Sequence, residues 1–333
     1  MSRHSGTERI GGIKIDRTCY RSLSRTSMPV SSVVLITGGS GTIGGHLTRQ
    51  LLSAGYSVRH LSRNEGLEGR VRRFHWDPSS GRIDPSCLHG VDHIVHLAGA
   101  GIADRRWRPE RVHELIESRA GSARLLLRTA KAAGIVPQSF ISAAGSGYYG
   151  ATTSDRIFAE EDGPGSDVLA GISEEWERAV AEWENTCRVV RLRTPLVLAA
   201  DGGALPLMAK IVRWWLAAPL GSGRQWMPWV HIDDLTQAYQ LALDDKRWQG
   251  PVNVCSPQHV DNRTFMRTLS TMLHKPFFLP PVPEMVMHLL LGERAKLVVA
   301  GSRLSNARST SLGAVYAHTD LGKALRDLVD QGL

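Results

Sequence analysis

Cysteine is scarce in this chain, and its copies are far apart. The four cysteines stand at positions 19, 87, 187 and 255 of 333 residues. The sequence contains no Cys-x-x-Cys pair and no cluster of cysteine with histidine. This argues against a disulfide framework and against a zinc site, so we expect no bound metal. Scattered single thiols fit a reducing compartment, and we expect a cytoplasmic protein.

Long apolar runs are also missing. No stretch approaches 18 consecutive apolar residues, so we expect neither a membrane-spanning helix nor a membrane partner. The chain is 42% apolar and 22% charged, which is the composition of an ordinary globular protein. Collagen-like, coiled-coil and disordered classes are thereby excluded.

The formal net charge of +8 is unevenly distributed. Residues 1–28 carry six cationic side chains against Glu8 and Asp16, which gives +4 there and leaves +4 for the rest of the chain. A mildly basic body suits an anionic small molecule but falls short of a nucleic-acid-binding surface. We therefore expect a small-molecule partner and no nucleic acid.

The first 32 residues form a polar, basic segment without apolar periodicity or the apolar core of a secretory signal. Two interpretations remain open. The segment is an Arg/Ser-rich transit peptide for import into an organelle, or it is a disordered extension ahead of a true start at Met28. We favour the extension, because Met28 stands just before the first apolar strand.

A strand, a glycine-rich turn, a helix and a second strand follow in order. Residues 33–37 are apolar and β-branched, as in a buried parallel strand. The spacing of apolar residues predicts a helix over 43–54, and residues 57–61 predict the second strand. A glycine triplet in this context is typical of a dinucleotide-binding βαβ unit.

The glycines of this turn have separate physical roles. Gly38 permits the tight turn, Gly41 lets the backbone approach a pyrophosphate, and Gly44 lets the helix pack closely on the strand. Free N–H groups and the positive end of the helix dipole then hold the phosphates. The candidate cofactor residues of this loop are Gly38, Ser40, Gly41, Thr42, Ile43 and Gly44.

The end of the second strand bears on the choice of cofactor. An NAD site usually places Asp or Glu there to accept a hydrogen bond from the ribose 2′-OH. This chain has Ser62 and Arg63 instead, which can donate to a 2′-phosphate. The sequence therefore predicts NADP (NADPH), although a solvated loop cation at position 63 stays open.

Further motifs give the sequence a recognisable pattern. They are 92–100 (DHIVHLAGA), 105–107 (RRW), 117–119 (ESR), 147–150 (GYYG), 193–198 (RTPLVL), 221–225 (GSGRQ) and 229–234 (WVHIDD). With the glycine loop, these motifs resemble the extended short-chain dehydrogenases/reductases, in the atypical, epimerase-like subgroup named for nucleoside-diphosphate-sugar epimerases. In that subgroup a C-terminal domain of unknown function follows the Rossmann part, and residues 284–330 are similar to it.

The resemblance implies an α/β fold, with a doubly wound, mostly parallel Rossmann sheet and a small C-terminal α/β substrate lobe. We expect the NADP-binding domain over 33–200 and the substrate lobe with the C-terminal domain over 201–333. The resemblance also implies that several residues line the cofactor, while Arg119 as a solvated helix residue remains an alternative. These residues are Leu97, Ala98, Gly99, Glu114, Arg119 and Thr194.

The catalytic pair of the family is absent. Active members use Tyr-x-x-x-Lys, in which the lysine lowers the tyrosine pKa for proton exchange. None of the six tyrosines has lysine four residues later. Ser142, Ser146 and Tyr149 are the substitutes that we consider. Packing of both tyrosines 148 and 149 into the cleft wall, and strand-end capping by Ser142, are the alternatives.

The second half of the chain offers a ligand rim. Arg224 can bind an anion, and Trp226 and Trp229 offer flat apolar faces. Core tryptophans beside a surface arginine are the alternative that stays open. Arg105 is expected in the same cleft, and Asp233 or Asp234 reads as the N-cap of the helix that follows.

Epimerases of the family generally place arginine four residues before the His of His-x-Asp-Asp, whereas this chain has Met227 there. A nucleotide-sugar substrate is therefore in doubt, although Arg224 could compensate for the missing arginine.

Two functions remain open from the sequence. The first is an NADP-dependent oxidoreductase or epimerase that acts on a small polar or sugar-like substrate. The second is a non-catalytic NADP-binding sensor or protein-interaction module on the same fold. We expect a monomer or a homodimer.

Overall fold

The computed structural model describes residues 32–333. Except for its last residue, the predicted N-terminal extension lies outside the described residues. Thirteen strands and eleven α-helices make up the described part. The strands are β1 (Val33–Thr37), β2 (Ser57–Ser62), β3 (Gly66–Glu68), β4 (Val71–Asp77), β5 (Arg82–Ile83), β6 (His93–His96), β7 (Ser139–Gly145), β8 (Ile157–Phe158), β9 (Arg188–Thr194), β10 (Leu196–Leu198), β11 (Trp229–His231), β12 (Gly250–Asn253) and β13 (Arg303–Leu304). The helices are α1 (Thr42–Ser53), α2 (Pro109–Ile116), α3 (Ser122–Ala132), α4 (Val168–Ala181), α5 (Leu205–Arg213), α6 (Ile232–Asp244), α7 (Asn262–Met272), α8 (Glu284–Leu291), α9 (Lys296–Val299), α10 (Ala307–Ser311) and α11 (Leu321–Asp330).

The central sheet has the strand order β12-β9-β7-β6-β1-β2-β4-β3, with β5 pairing to β4. All of its pairs are parallel except those of β3 and β5 with β4. From β1 the chain runs first toward β4 and then returns to build the other side from β6 outward. The predicted doubly wound, mostly parallel α/β sheet is therefore confirmed.

Helices cover both faces of this sheet. On one face, Leu47 of α1 and Leu235 of α6 pack on apolar residues of β1, such as Val34. On the other face, Leu126 of α3 packs beside Leu35. Strands buried on both faces need continuous apolar runs, which explains why the β1 segment reads Val-Val-Leu-Ile.

A third core forms the C-terminal lobe. Leu205 of α5, Phe265 of α7 and Leu325 of α11 pack around the buried Trp229. Among residues 32–333, every helix is too short or too polar to cross a bilayer.

The predicted domain boundary at residue 200 needs correction. β12 lies beyond residue 200, yet it pairs in parallel with β9 at the edge of the central sheet. α6, which precedes β12, packs on the same sheet. The chain thus leaves the Rossmann sheet after β9, builds β10, α5 and β11, and returns through the crossover helix α6.

The predicted N-cap of α6 also needs correction. The helix begins at Ile232, and the capping residue is His231 rather than Asp233 or Asp234. The backbone N–H of Asp233 donates to Nδ1 of His231 at 3.2 Å. The imidazole therefore takes the capping role that short oxygen-bearing side chains usually have.

Candidate functional site

The carboxyl ends of the central parallel strands meet at one edge of the sheet. β1 ends at Thr37 and β6 at His96, and the chain turns in opposite directions from these two neighbouring strands. In open α/β sheets a ligand binds in the crevice at this switch point. The glycine-rich loop follows β1 directly, so it lies at the crevice.

Gly38 begins the turn after β1 in a left-handed conformation, with φ of +69°. A Cβ at Gly38 would lie 3.0 Å from the backbone of Leu97 and Ala98. A Cβ at Gly44 would lie 2.7 Å from the Cα of Gly39 and would collide with the Gly38 carbonyl oxygen. Both positions therefore require glycine, one for conformation and one for close helix packing.

The N-terminus of α1 lies at this crevice, directly after the glycine loop. Its N-cap, Gly41, makes no side-chain capping bond, and the first turn contains no acidic residue. Ser40 is exposed, and Thr42 and Ile43 are half-buried beside it. The free N–H groups and the helix dipole at this end suit a phosphate.

The turn after β6 is fixed against the glycine loop. Thr37 Oγ1 accepts the backbone N–H groups of Leu97 and Ala98, each at 3.1 Å. The Arg119 guanidinium lies against Gly99, where an added Cβ would come within 3.0 Å of it. Arg119 also donates to the Ala100 carbonyl at 2.8 Å. Arg119 is half-buried, so this side chain is not simply solvated, and its burial lowers its pKa to about 10.

A cavity of about 360 Å³ lies between the glycine loop, α1 and the end of β2. Its lining includes Ser40, Arg49, His60, Ser62, Glu68 and Arg73. Arg73 Nη1 lies 3.1 Å from Glu68 Oε2, at the cavity wall. Predicted residues Ser40 and Ser62 are thus brought together. The exposed Arg63 follows β2 but does not line the cavity.

Sequence reasoning missed the two arginines of this cavity. Arg49 lies on α1, eight positions beyond Gly41. Helical spacing along α1 could have indicated that this arginine lies on the cavity side of the helix. Arg73 comes from β4, and it reaches the cavity because β4 pairs with β2. No local pattern indicates that pairing.

Two of the three catalytic candidates are buried, which corrects the expectation that they face the cleft. Ser142 is fully buried, and its hydroxyl donates to the Ala143 carbonyl at 2.7 Å. Tyr149 is 2% exposed, and its hydroxyl donates to Asn253 Oδ1 at 2.8 Å. Burial raises the pKa of Tyr149 to about 12. Both hydroxyls serve internal hydrogen bonds.

The Tyr149 hydroxyl also belongs to a buried ionic network. Arg193 Nη1 donates to it at 2.9 Å, and Arg193 makes a bidentate ion pair with Glu177 at 2.7 and 2.9 Å. The Arg193 guanidinium lies 3.6 Å from the ring centre of Tyr148. Tyr148 and Ser146 are both half-buried in the turn that follows β7, so they are the hydroxyl groups that remain accessible there.

The predicted substrate residues do not form one cluster. Trp229 is fully buried in the core of the C-terminal lobe, which corrects its expected role as an exposed flat face. Arg224 is exposed. Arg105 is exposed and pairs with Glu114 at 2.6 Å.

The Glu114 carboxylate is already paired with two arginines, so it is not free to accept a hydrogen bond from a ribose hydroxyl. It accepts from Arg111 at 2.7 Å as well as from Arg105, and Arg111 lowers its pKa. The Thr194 hydroxyl, at the end of β9, donates to the Leu192 carbonyl at 3.1 Å.

A histidine–carboxylate cluster was not expected from sequence spacing. Ligand atoms of His231, Asp233, His318 and Asp327 lie within 4.8 Å of one another. The imidazoles of His231 and His318 stack with ring centres 3.6 Å apart. Because His231 Nδ1 accepts a backbone N–H, its proton is on Nε2, which faces Asp327 at 3.4 Å. The cluster therefore joins the start of α6 to α11.

Comparison with protein families places these features in context. A model described as the NAD dependent epimerase/dehydratase family matches residues 34–255. A second, described as a domain of unknown function (DUF1731), matches residues 282–328.

The curated relatives match over nearly their whole length. Epimerase family protein Mb2239 of Mycobacterium bovis is 34% identical over 297 residues, which cover 89% of this chain and 97% of the relative. The human epimerase family protein SDR39U1 is 33% identical over 301 residues, covering 89% and 99%. A chloroplastic SDR39U1 homologue of Arabidopsis thaliana is 32% identical, covering 89% and 86%.

Solved structures have the same fold. A crystal structure of human SDR39U1 with NADPH superposes with a TM-score of 0.81 at 30% identity, covering 90% of this chain and all of that one. UDP-glucuronic acid 4-epimerase from Bacillus cereus, with UDP-glucuronic acid and NAD, gives 0.72 at 19% identity, covering 90% and 99%. At that identity the likeness concerns the fold alone. The chain belongs to the NAD-dependent epimerase/dehydratase family and carries the DUF1731 domain toward its C-terminal end.

Proposed function

We propose that the protein binds NADP(H) and acts as an NADP-dependent oxidoreductase or epimerase on a small polar or sugar-like substrate. The observation that carries the proposal is the constellation at the switch point. A glycine loop that only glycine can build, an uncapped helix N-terminus and a cavity with two arginines adjoin one another. The NADPH in the related human structure supports the same assignment.

The cavity beside β2 supports a preference for NADP. Arg49 and Arg73 supply two positive charges there, and Ser40 and Ser62 supply hydroxyl donors. Glu68 is the opposing carboxylate, and it is already paired with Arg73. Two guanidinium groups against one paired carboxylate favour a 2′-phosphate over a bare ribose hydroxyl. Arg63, the exposed residue that follows Ser62 at the end of β2, remains a proposed outer contact.

The remaining proposed cofactor contacts lie at the same carboxyl edge of the central sheet. The N–H groups at Thr42 to Gly44 would hold the pyrophosphate, since the Gly41 N–H already donates to the Gly38 carbonyl at 3.0 Å. Leu97, Ala98 and Gly99 would lie beside the bound dinucleotide. Arg119 fixes that turn through the Ala100 carbonyl. Thr194, at the carboxyl end of β9, would lie along the same edge. Glu114 would influence the cofactor site indirectly, by holding the Arg105 and Arg111 side chains in place.

Ser146 and Tyr148 are the proposed proton-handling groups. A bound NADPH supplies hydride chemistry, while a hydroxyl at the end of β7 donates a proton to the substrate oxygen or binds it. Arg105 and Arg224 are exposed cations that we propose for the rim of the substrate cleft.

The test is turnover with a panel of carbonyl compounds, monitored by NADPH oxidation. Ser146→Ala and Tyr148→Phe should each lower kcat by about tenfold or more, because each removes a hydrogen bond to the reacting oxygen. The matched control is Tyr149→Phe. It should lower the free energy of unfolding by about 1–3 kcal/mol, because it leaves Asn253 and Arg193 without a buried partner.

Opposite results would reassign the tyrosines. If Tyr149→Phe kept its stability but lost turnover, the buried Tyr149 hydroxyl would be the group that donates a proton to the substrate or binds it. Unchanged turnover in both the Ser146→Ala and Tyr148→Phe variants would remove them from the mechanism.

The second candidate is a non-catalytic NADP-binding sensor or interaction module. The burial of Ser142 and Tyr149, together with the missing Tyr-x-x-x-Lys pair, favours it. The same panel discriminates the two. NADPH binding without oxidation by any sugar, ketone or quinone supports the sensor, and any turnover supports the enzyme.

Cellular location and assembly belong to the proposal as well. We propose a cytoplasmic monomer or homodimer, with import into an organelle as the alternative if residues 1–32 act as a transit peptide. The relative named chloroplastic supports that alternative. Sedimentation velocity and imaging of a C-terminal fluorescent fusion test these points.

A further inference from the structure

Two helices of the C-terminal lobe end with a bulky residue where glycine is usual. α5 is followed by Trp215 with φ of +66°, and α7 by His274 with φ of +53°. In the part of the chain that the structure describes, these are the only residues other than glycine with positive φ, while fifteen glycines take the same region. A positive φ in a bulky residue is strained and directs attention to function.

Hydrogen bonds define the same ending for both helices. The Leu216 N–H donates to the Ile211 carbonyl at 3.2 Å, and the Lys275 N–H donates to the Ser270 carbonyl at 2.8 Å. This six-residue closure is a Schellman motif, whose left-handed position favours glycine. Tryptophan at that position costs about 1–2 kcal/mol relative to glycine. Glycine at position 215 would therefore make the folded protein more stable.

These two endings lie in an exposed apolar surface, which we call the tryptophan patch. Its residues and exposed fractions are Leu207 66%, Ile211 45%, Trp214 63%, Trp215 55%, Leu216 55% and Phe278 68%. Leu207, Ile211 and Trp214 follow the i, i+4, i+7 spacing of one helix face. The Lys275 ammonium lies 5.2 Å from the Trp215 ring centre, which joins the loop after α7 to the end of α5.

The two chain segments that contain the patch carry only positive charge. Residues 202–232 and 262–283, which contain it, have no Asp or Glu. Their cationic residues are Lys210, Arg213, Arg224, Arg263, Arg267 and Lys275. Lys210 Nζ lies 5.0 Å from the Trp214 ring centre. Carboxylates lie beside Met272 at the end of α7: Asp320 caps α11, and Asp327 and Asp330 lie on α11 with Lys323 and Arg326. Exposed aromatic rings with cations on their faces thus form one surface.

We propose that the tryptophan patch docks on an anionic lipid surface. Tryptophan is favoured at the boundary between lipid and water, and lysine and arginine beside it attract anionic headgroups. A second copy of this chain fits less well, since a two-fold contact would bring the same acid-free, cationic stretches together. The sequence led us to expect no membrane partner because a spanning segment is missing, but surface docking requires none.

The experiment is flotation of the full chain with phosphatidylcholine vesicles, with and without phosphatidylglycerol. The wild type should bind the mixed vesicles and be released by added salt. Trp214→Ser with Trp215→Gly should weaken binding more than about tenfold, because two interfacial anchors are lost. Lys210→Glu with Lys275→Glu should weaken it by a similar factor through charge alone.

Matched control variants distinguish vesicle binding by the tryptophan patch from vesicle binding by other parts of the chain. All variants retain the basic N-terminal residues, so only differences between variants report on the patch. Leu67→Ser removes an equally exposed apolar side chain on β3, and Lys246→Glu reverses an exposed charge after α6. Neither should change vesicle binding by more than about twofold. NADPH affinity should be the same in every variant, which keeps this test independent of the proposed function.

A second measurement guards against loss of folding. Trp215→Gly alone should raise the melting temperature, because glycine relieves the strained φ, and yet it should reduce vesicle binding. Equal binding by the wild type and the double tryptophan variant would overturn the proposal. So would equal binding to neutral and anionic vesicles, or a dimer in sedimentation velocity that the tryptophan variant dissociates.

Discussion

Two adjacent glycines in α1 have opposite surroundings. A Cβ at Gly44 would enter the backbone of Gly38 and Gly39, whereas a Cβ at Gly45 would meet only the Arg49 side chain at 3.8 Å. Gly44→Ala should therefore lower the free energy of unfolding by about 1–3 kcal/mol, because backbone must move. Gly45→Ala should leave it unchanged or raise it by about 1 kcal/mol, as alanine favours helix.

Denaturant titration of the two variants checks this prediction. The same variants report on the cofactor, since the helix cannot approach the strand in Gly44→Ala and NADPH binding should weaken with stability. Equal stability of the two proteins would mean that the close packing of loop and helix is not what requires glycine.

Single residues also show where sequence reasoning stops. The glycine loop and Ser62 could be predicted, because a strand, a turn and a helix adjacent in sequence build that part of the site. Arg73 could not, since it arrives from β4 through strand pairing. The burial of Tyr149 depends on Asn253, which is more than a hundred residues away. Local patterns contain neither contact.

At the scale of elements, β6 carries two buried histidines in the centre of the sheet. His93 contacts the Ser139 hydroxyl at 2.8 Å, and His96 accepts from the Thr37 hydroxyl at 2.9 Å. Burial lowers the pKa of both imidazoles to about 4. Each side chain is therefore neutral in the folded strand at neutral pH.

The pH dependence of stability follows from that strand. An unfolded chain binds protons on these histidines below about pH 6.5, whereas the folded chain does so only near pH 4. Stability should fall as the pH drops from about 6.5 to about 4, by up to about 1.4 kcal/mol per pH unit for each histidine.

Denaturant titrations across this range measure the slope. His93→Gln should remove one histidine's share of it, while substitution of the exposed His113 should not. A stability that stays level from pH 7 to pH 4 would contradict the buried, neutral state of β6.

Elements were predicted best where periodicity is local. β1, α1 and β2 begin and end within about one or two residues of the positions that apolar spacing indicates. The start of α6 was misassigned because its cap is an imidazole, and the usual preference for aspartate pointed two or three residues too far. Cap identity depends on side-chain geometry that spacing does not give.

At the scale of the whole molecule, the chain crosses between its two parts more than once. Residues after position 200 return to the central sheet through α6 and β12. The Asp234 carboxylate accepts the backbone N–H groups of Ala317 and His318 at 2.9 and 3.1 Å, which attaches the C-terminal segment to α6. The resemblance predicted two lobes, but it did not predict that the chain returns to the central sheet after residue 200. A change in sequence composition need not coincide with the point where the chain leaves a sheet.

The account of the whole molecule depends most on recognition of the dinucleotide. Calorimetric titration of the purified full chain with NADPH and with NADH measures it directly, together with Arg49→Ala, Arg63→Ala and Arg73→Ala. We predict at least about tenfold tighter binding of NADPH, and loss of that preference when the arginine that contacts the 2′-phosphate is removed. Equal affinities for the two cofactors would contradict the 2′-phosphate site, and no affinity for either would contradict the assignment of the glycine loop itself.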